Sequence, residues 1–326
     1  EPNGGVDYRR ATVVAVRDHQ FEAFEPHRSG MEGHAAAPGA GTVLNALATG
    51  TGSAFALDIE TTAEVTIEIG EGGVEGEIAG QPDADTRLVE RCVELAVERW
   101  GPSAGLDTSV STTLNVGGSV RTESEVPTAA GLKSSSAAAN ATVLATIDAL
   151  DANDDVEPIE ACRLGVEAAR DVGVTVTGAF DDASASMLGG VTVTDNTADE
   201  LLTREQLDRE ALVWTPPERA YSADADAERC ALVAPMAKLV EELALGGAYG
   251  RAMTVNGLAF SAALGFSPDP AVAAMEHVDG VSLSGTGPSV VAIGDTEGLA
   301  AVADDWADRP GQLLRTTTRN DGGRYL

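Results

Sequence analysis

The chain has 326 residues, 52 of them acidic and 21 basic, for a net charge of −31. That length suits one large or two medium domains with a real core, and the charge makes nucleic acid and anionic membranes poor partners. With 43% hydrophobic residues the chain is too apolar for an acidic disordered protein; lysine occurs only at Lys133 and Lys238, a composition that suits high salt, where screening relieves self-repulsion.

Residues 1–30 stand apart, with four Arg against five acids. Met31 then opens a coherent domain and reads as the natural start, with 1–30 a dispensable extension; a genuine leading strand at 11–16 is the alternative. Strands are predicted at 54–59 and 64–69, the second alternating through Val65, Ile67 and Ile69. Helical spacing covers 85–100 through Leu88, Val89, Cys92, Leu95 and Ala96. Strands at 109–114 and 118–122 precede a loop that runs into a helix over 136–150. Pro158 sits in the first turn of a helix over 157–171, and a strand follows at 189–194. The polar run 195–209 reads as a boundary between an N-terminal domain, 31–195, and a C-terminal one, 196–326. Beyond it come a strand at 211–215, broken by Pro216-Pro217, and helices at 234–245, 249–264 and 270–277. Strands at 281–284 and 289–293 flank a Gly-rich turn, and a helix at 296–307 and a strand at 312–318 close the chain. Strands and helices mix without a strict βαβ rhythm, which predicts an α+β fold.

Cys92, Cys162 and Cys230 lie far apart, with no C-x-x-C and no Cys/His cluster for zinc. Reduced thiols, no 18-residue apolar run and no signal-peptide pattern together predict a cytoplasmic protein.

The most informative stretch is Pro127-Thr-Ala-Ala130-Gly131-Leu132-Lys133-Ser134-Ser135-Ser136. A Gly-containing loop leads into three hydroxyls and an Ala-rich helix, whose start the serines can cap. A helix N-terminus favours an anion, Lys133 adds a full positive charge, and the hydroxyls can reach a magnesium ion. These are the parts of a nucleotide phosphate site, although the order is not that of a Walker A loop. An ordinary capped helix is the competing reading. Two more Gly-rich segments flank it in the chain: Ala37-Pro38-Gly39-Ala40-Gly41-Thr42 and Leu283-Ser284-Gly285-Thr286-Gly287-Pro288-Ser289.

This ordered trio resembles the GHMP kinases, the superfamily of galactokinase, homoserine kinase, mevalonate kinase and phosphomevalonate kinase. The resemblance covers 31 to about 320. It implies an N-terminal ribosomal-S5-like half, a C-terminal ferredoxin-like half, and ATP with Mg²⁺ bound between them. Lys133 within its serine loop, joined to Thr177-Gly-Ala-Phe-Asp181-Asp182-Ala-Ser184-Ala-Ser186, is more similar to the archaeal shikimate kinase branch than to its sister enzymes. The acidic composition fits a haloarchaeal member.

That resemblance implies roles. Asp181 is the general base or orienting group for a substrate hydroxyl; its bland alternative is a solvated turn or helix cap. Ser135 is the magnesium-binding serine and Glu167 the candidate metal carboxylate, with a surface helix position as its alternative. Some members carry a lysine where Ala40 stands here, so Lys133 is left to supply the charge; its alternative is a solvent-facing lysine. Asp182, Gly285, Thr286 and Gly287 are candidates for the substrate or phosphate loop. An Arg fork would suit the shikimate carboxylate; Arg121, Arg251 and Arg319 are candidates between which the sequence does not choose, with surface salt bridges as the alternative for most of them. The competing functions are another small-alcohol kinase, for homoserine or mevalonate, and a non-catalytic metabolite sensor.

Overall fold

The computed structural model describes residues 12–14, 30–69, 72–104, 116–175, 179–220 and 225–326. A short strand β1 (Thr12–Val14) precedes β2 (Met31–Leu44), a 3-10 turn at Ala46–Ala48, and β3 (Thr51–Ile69). Next come β4 (Val74–Ile78), α1 (Arg87–Trp100), β5 (Val116–Ser124), α2 (Ser134–Ala149), α3 (Pro158–Asp171), α4 (Phe180–Leu188), β6 (Val191–Asp195) and β7 (Glu200–Glu205). The remainder holds β8 (Glu210–Thr215), α5 (Ala227–Ala231), α6 (Ala234–Leu245), α7 (Tyr249–Leu264) and α8 (Asp269–Ala274). It ends with β9 (Gly280–Leu283), β10 (Val290–Gly294), α9 (Thr296–Trp306), β11 (Gln312–Thr317) and β12 (Arg324–Tyr325). The predicted strand at 109–114 lies outside the described residues, as do Thr177 and Gly178.

One sheet runs β12-β2-β3-β5-β4, with β6 beside β3 and β7 beside β6; the other runs β1-β11-β8-β10-β9. The α+β expectation holds. The sequence reads 54–59 and 64–69 as two strands, yet β3 is continuous over 19 residues. It changes partner midway: Thr51–Phe55 pair with β6, and Thr61–Ile69 with β5. The polar stretch after β6 is not only a connection, because β7 pairs antiparallel with β6 and so adds a strand on the C-terminal side of the 195/196 boundary to the first sheet.

Small residues let the elements approach closely. A Cβ at Gly33 of β2 would lie 2.0 Å from the Ala145 carbonyl oxygen of α2, so helix and strand are nearly in backbone contact. Sheet and helices bury α2 on every side, from Ser136 through Ala149, which is why its sequence is Ala-rich with no polar face. Around it pack Val65 and Ile67 of β3, Cys92 and Val93 of α1, and Leu164 of α3. A second core joins both sheets: Phe55 and Leu57 of β3 and Leu132 meet Val213 of β8, Phe260 of α7 and Val291 of β10. Each fully buried large side chain there contributes about 1.5–3 kcal/mol. The seam between the sheets is thus apolar inside, and the cleft described next opens at it. No helix among the described residues is long and apolar enough to cross a membrane.

Candidate active site

The loop before α2 is fixed by backbone conformation. Gly131 has φ +78°, and a Cβ there would lie 2.2 Å from the Ser284 carbonyl oxygen. Only glycine fits both demands. The other two Gly-rich segments hold this loop. The Leu132 carbonyl accepts the Ala40 N–H at 3.1 Å, and the Gly131 carbonyl accepts the Ser284 hydroxyl at 2.8 Å. The Gly285 N–H in turn donates to Thr42 Oγ1 at 2.7 Å, and its carbonyl accepts Asn45 Nδ2 at 2.9 Å. Three segments spread from Ala37 to Ser289 therefore form one constellation.

The serines do not cap α2. Lys133 stands at the N-cap in left-handed conformation, φ +65°, and no side chain closes the helix end. Ser134, Ser135 and Ser136 instead form the first turn, whose backbone N–H groups have no partners within the helix. The helix begins beside an open cleft lined by Lys133, Ser135, Ser136, Asp181, Asp182 and Gly285, among others. Such a helix start suits phosphate.

Asp181 and Asp182 occupy the first turn of α4. Asp181 is only 5% exposed, which excludes the solvated-turn reading. Asn196 Nδ2 donates to its Oδ1 at 2.6 Å. On β3, a Cβ at Gly52 would lie 2.5 Å from both Cγ and Oδ2, so Gly52 makes the room for this carboxylate. Burial, and next the neighbouring Asp182 carboxylate, push the Asp181 carboxyl up to about 7, against Lys133 and the Asn196 hydrogen bond. Lys133 is buried rather than solvent-facing; its Nζ lies 2.7 Å from Asp182 Oδ1, a charge contact without hydrogen-bond alignment.

Known proteins match this chain. The GHMP kinases N terminal domain matches residues 87–190. The shikimate kinase of Halobacterium salinarum is 61% identical over 294 residues, which cover 90% of this chain and 99% of that protein. The chain belongs to the shikimate kinase family of GHMP kinases. The Methanosarcina acetivorans shikimate kinase is 48% identical, over 89% of this chain and 95% of its own. Homoserine kinase from Cytophaga hutchinsonii superposes with a TM-score of 0.68 at 15% identity, covering 93% of this chain and 100% of that one. Methanococcus jannaschii mevalonate kinase gives 0.65 at 15%, covering 92% and 100%. At such identity these two show the fold alone.

In this GHMP kinase the cleft gathers some predicted residues and not others. Lys133, Ser135, Ser136, Asp181, Asp182, Gly285 and Thr286 line it. Pro127, Ala130, Gly131, Leu132 and Ser134 shape the loop without lining the cleft, and Gly287 faces the Phe266 ring. Glu167 is a correction: α3 turns Gly165, Val166 and Ala169 to the cleft, while Glu167 Oε2 accepts Arg99 at 2.8 Å on the α1 side, 45% exposed. For the arginines the salt-bridge alternative accounts for Arg121 and Arg319. Arg121 pairs with Glu77 across strands, Arg319 with Glu60, and Arg251 is exposed on α7; none lines the cleft. Sequence reasoning missed Asn45, Gly52 and Asn196. Their roles depend on partners far along the chain, and single Asn or Gly residues carry no motif.

Proposed function

We propose that this chain transfers the γ-phosphoryl group of ATP to the 3-hydroxyl of shikimate. The meeting of Lys133, Asp181 and Asp182 in one cleft beside the start of α2 carries this reading. The 61% identity to a shikimate kinase across nearly its whole length supports the acceptor.

The first turn of α2, with Ser136 and the Gly285–Thr286 loop, holds the phosphates. The acceptor oxygen attacks the γ-phosphorus, and its proton passes to the Asp181 carboxylate. The new O–P bond forms as the bond to the β,γ-bridging oxygen breaks, and that electron pair leaves with ADP. A carboxyl raised toward neutrality is a stronger base than an ordinary one and still ionises at working pH. Lys133 sits where negative charge builds on the transferring group. Positioning and charge neutralisation dominate this chemistry.

Mg²⁺ supplies further charge neutralisation when it arrives with ATP. The exposed Ser135 hydroxyl in the first turn of α2 is the side chain that would meet it, with phosphate oxygens and water completing the shell. No cluster of three His, Cys, Asp or Glu among the described residues forms a metal cage, which suits an ion carried by its nucleotide.

Acceptor-dependent ADP release, measured with shikimate, homoserine and mevalonate in multimolar KCl, tests the reading. Release with shikimate alone supports it. Release with homoserine or mevalonate but not shikimate would replace the acceptor and leave the phosphotransferase chemistry standing.

A further inference from the structure

Asn196 follows β6 and is 4% exposed. Both ends of its amide are engaged. Nδ2 donates to Asp181 Oδ1 at 2.6 Å, while Oδ1 accepts the Asp181 backbone N–H at 3.1 Å and the Thr194 hydroxyl at 2.7 Å. The backbone is tied as well, since the Asn196 N–H donates to the Gly50 carbonyl at 2.9 Å. These bonds fix which way the amide faces. Turned over, it would set a carbonyl oxygen against a carboxylate and an NH₂ group against an N–H. The carboxylate is also confined from the β3 side by Gly52.

We propose that Asn196 is the positioning residue of this site: by gripping Oδ1 and the backbone N–H of the same aspartate, it fixes the carboxylate plane and reserves Oδ2 for the acceptor hydroxyl. Thr194 acts one step behind by holding the amide. The inference rests on the reading of Asp181 as proton acceptor.

A second consequence concerns charge. Among the described residues, the charged groups facing Asp181 are Asp182 on its own helix and Lys133 from the head of α2. The other described groups around it are neutral: Gly52 of β3 lies against the carboxylate, Thr194 of β6 holds the Asn196 amide, and Gly165, Val166 and Ala169 of α3 line the same cleft. Asn196 is thus the uncharged side-chain donor that, with the Asp182 backbone N–H, favours the ionised carboxylate against burial.

The test is the pH profile of kcat for Asn196→Ala in the full chain. We expect kcat to fall by about 10–100-fold, the worth of one hydrogen bond to a charged group, with KM for ATP nearly unchanged. The acidic limb should move to higher pH by about one unit, the equivalent of about 1.4 kcal/mol. Thr194→Val should shift the limb the same way by less, and Thr194→Ser should restore it. A loss of kcat with the limb unmoved would reduce Asn196 to a structural role, and an unchanged kcat would remove the proposal. If Asn196→Ala does not fold, an unmoved limb in Thr194→Val overturns it instead. The underlying reading fails separately, through near-normal turnover in Asp181→Asn.

Discussion

Lys133 Nζ lies 2.7 Å from Asp182 Oδ1, not against Asp181, and the two side chains are 6% and 19% exposed. One of two lysines in the chain is therefore spent on a sheltered acid pair. It balances Asp182, and through space it also opposes the burial that raises the Asp181 carboxyl.

Lys133→Met should therefore lower kcat more than it raises KM for shikimate, because the charge acts as phosphoryl charge develops. The variant should also melt at lower temperature, since it leaves a sheltered carboxylate without its partner. Steady-state kinetics and thermal melts check both. A rise in KM with kcat preserved would make Lys133 a ground-state binding group.

Asp181→Asn should reduce turnover by about 10²–10⁴-fold, the usual range for loss of a general base, and leave ATP binding intact by calorimetry. It should also change the pH dependence of stability. The folded carboxyl is raised to about 7 from an ordinary 3.8, so the folded state holds more protons between those values. Stability then falls as pH rises through that window, and the full cost is present above it. The Asn variant escapes this cost, so its gain in melting temperature over the parent should be larger at pH 8 than at pH 5. Equal differences at both pH values would contradict the burial argument.

Ser135→Ala should raise the Mg²⁺ concentration needed for half-maximal turnover, whereas Glu167→Gln should leave it unchanged. Ser135 lines the cleft; Glu167 is committed to Arg99 on the far side of α3. A Mg²⁺ titration of each variant decides. A shift in Glu167→Gln alone would reverse the assignment.

Melting temperature should climb with KCl from low to multimolar concentration, because screening weakens repulsion within a chain of net charge −31. A flat or falling trend would detach the composition from high salt.

The legible parts of this protein are those written in consecutive residues. The loop at 127–136 announces itself because glycine, lysine and serines adjoin. The helix α1 shows through its spacing, and α3 through Pro158 in its first turn. β2 carries no alternation to read, since Ala35 through Leu44 are buried throughout and both faces need small apolar residues. α4 is short and opens with Phe180-Asp181-Asp182, which resembles a turn more than a helix. Arg121 and Arg319 are convincing carboxylate ligands only until Glu77 and Glu60 are found against them. Asn196 stands 15 residues from Asp181 and Asn45 stands 240 from Gly285, so their hydrogen bonds exist only once the chain has folded.

The most direct measurement is the structure of the product formed from shikimate and Mg-ATP in high salt, by mass spectrometry for composition and NMR for position. The account predicts one added phosphoryl group, on the 3-hydroxyl, formed by the parent chain and nearly lost in Asp181→Asn. Shikimate recovered unchanged, while ATP is consumed with homoserine or mevalonate, would contradict it.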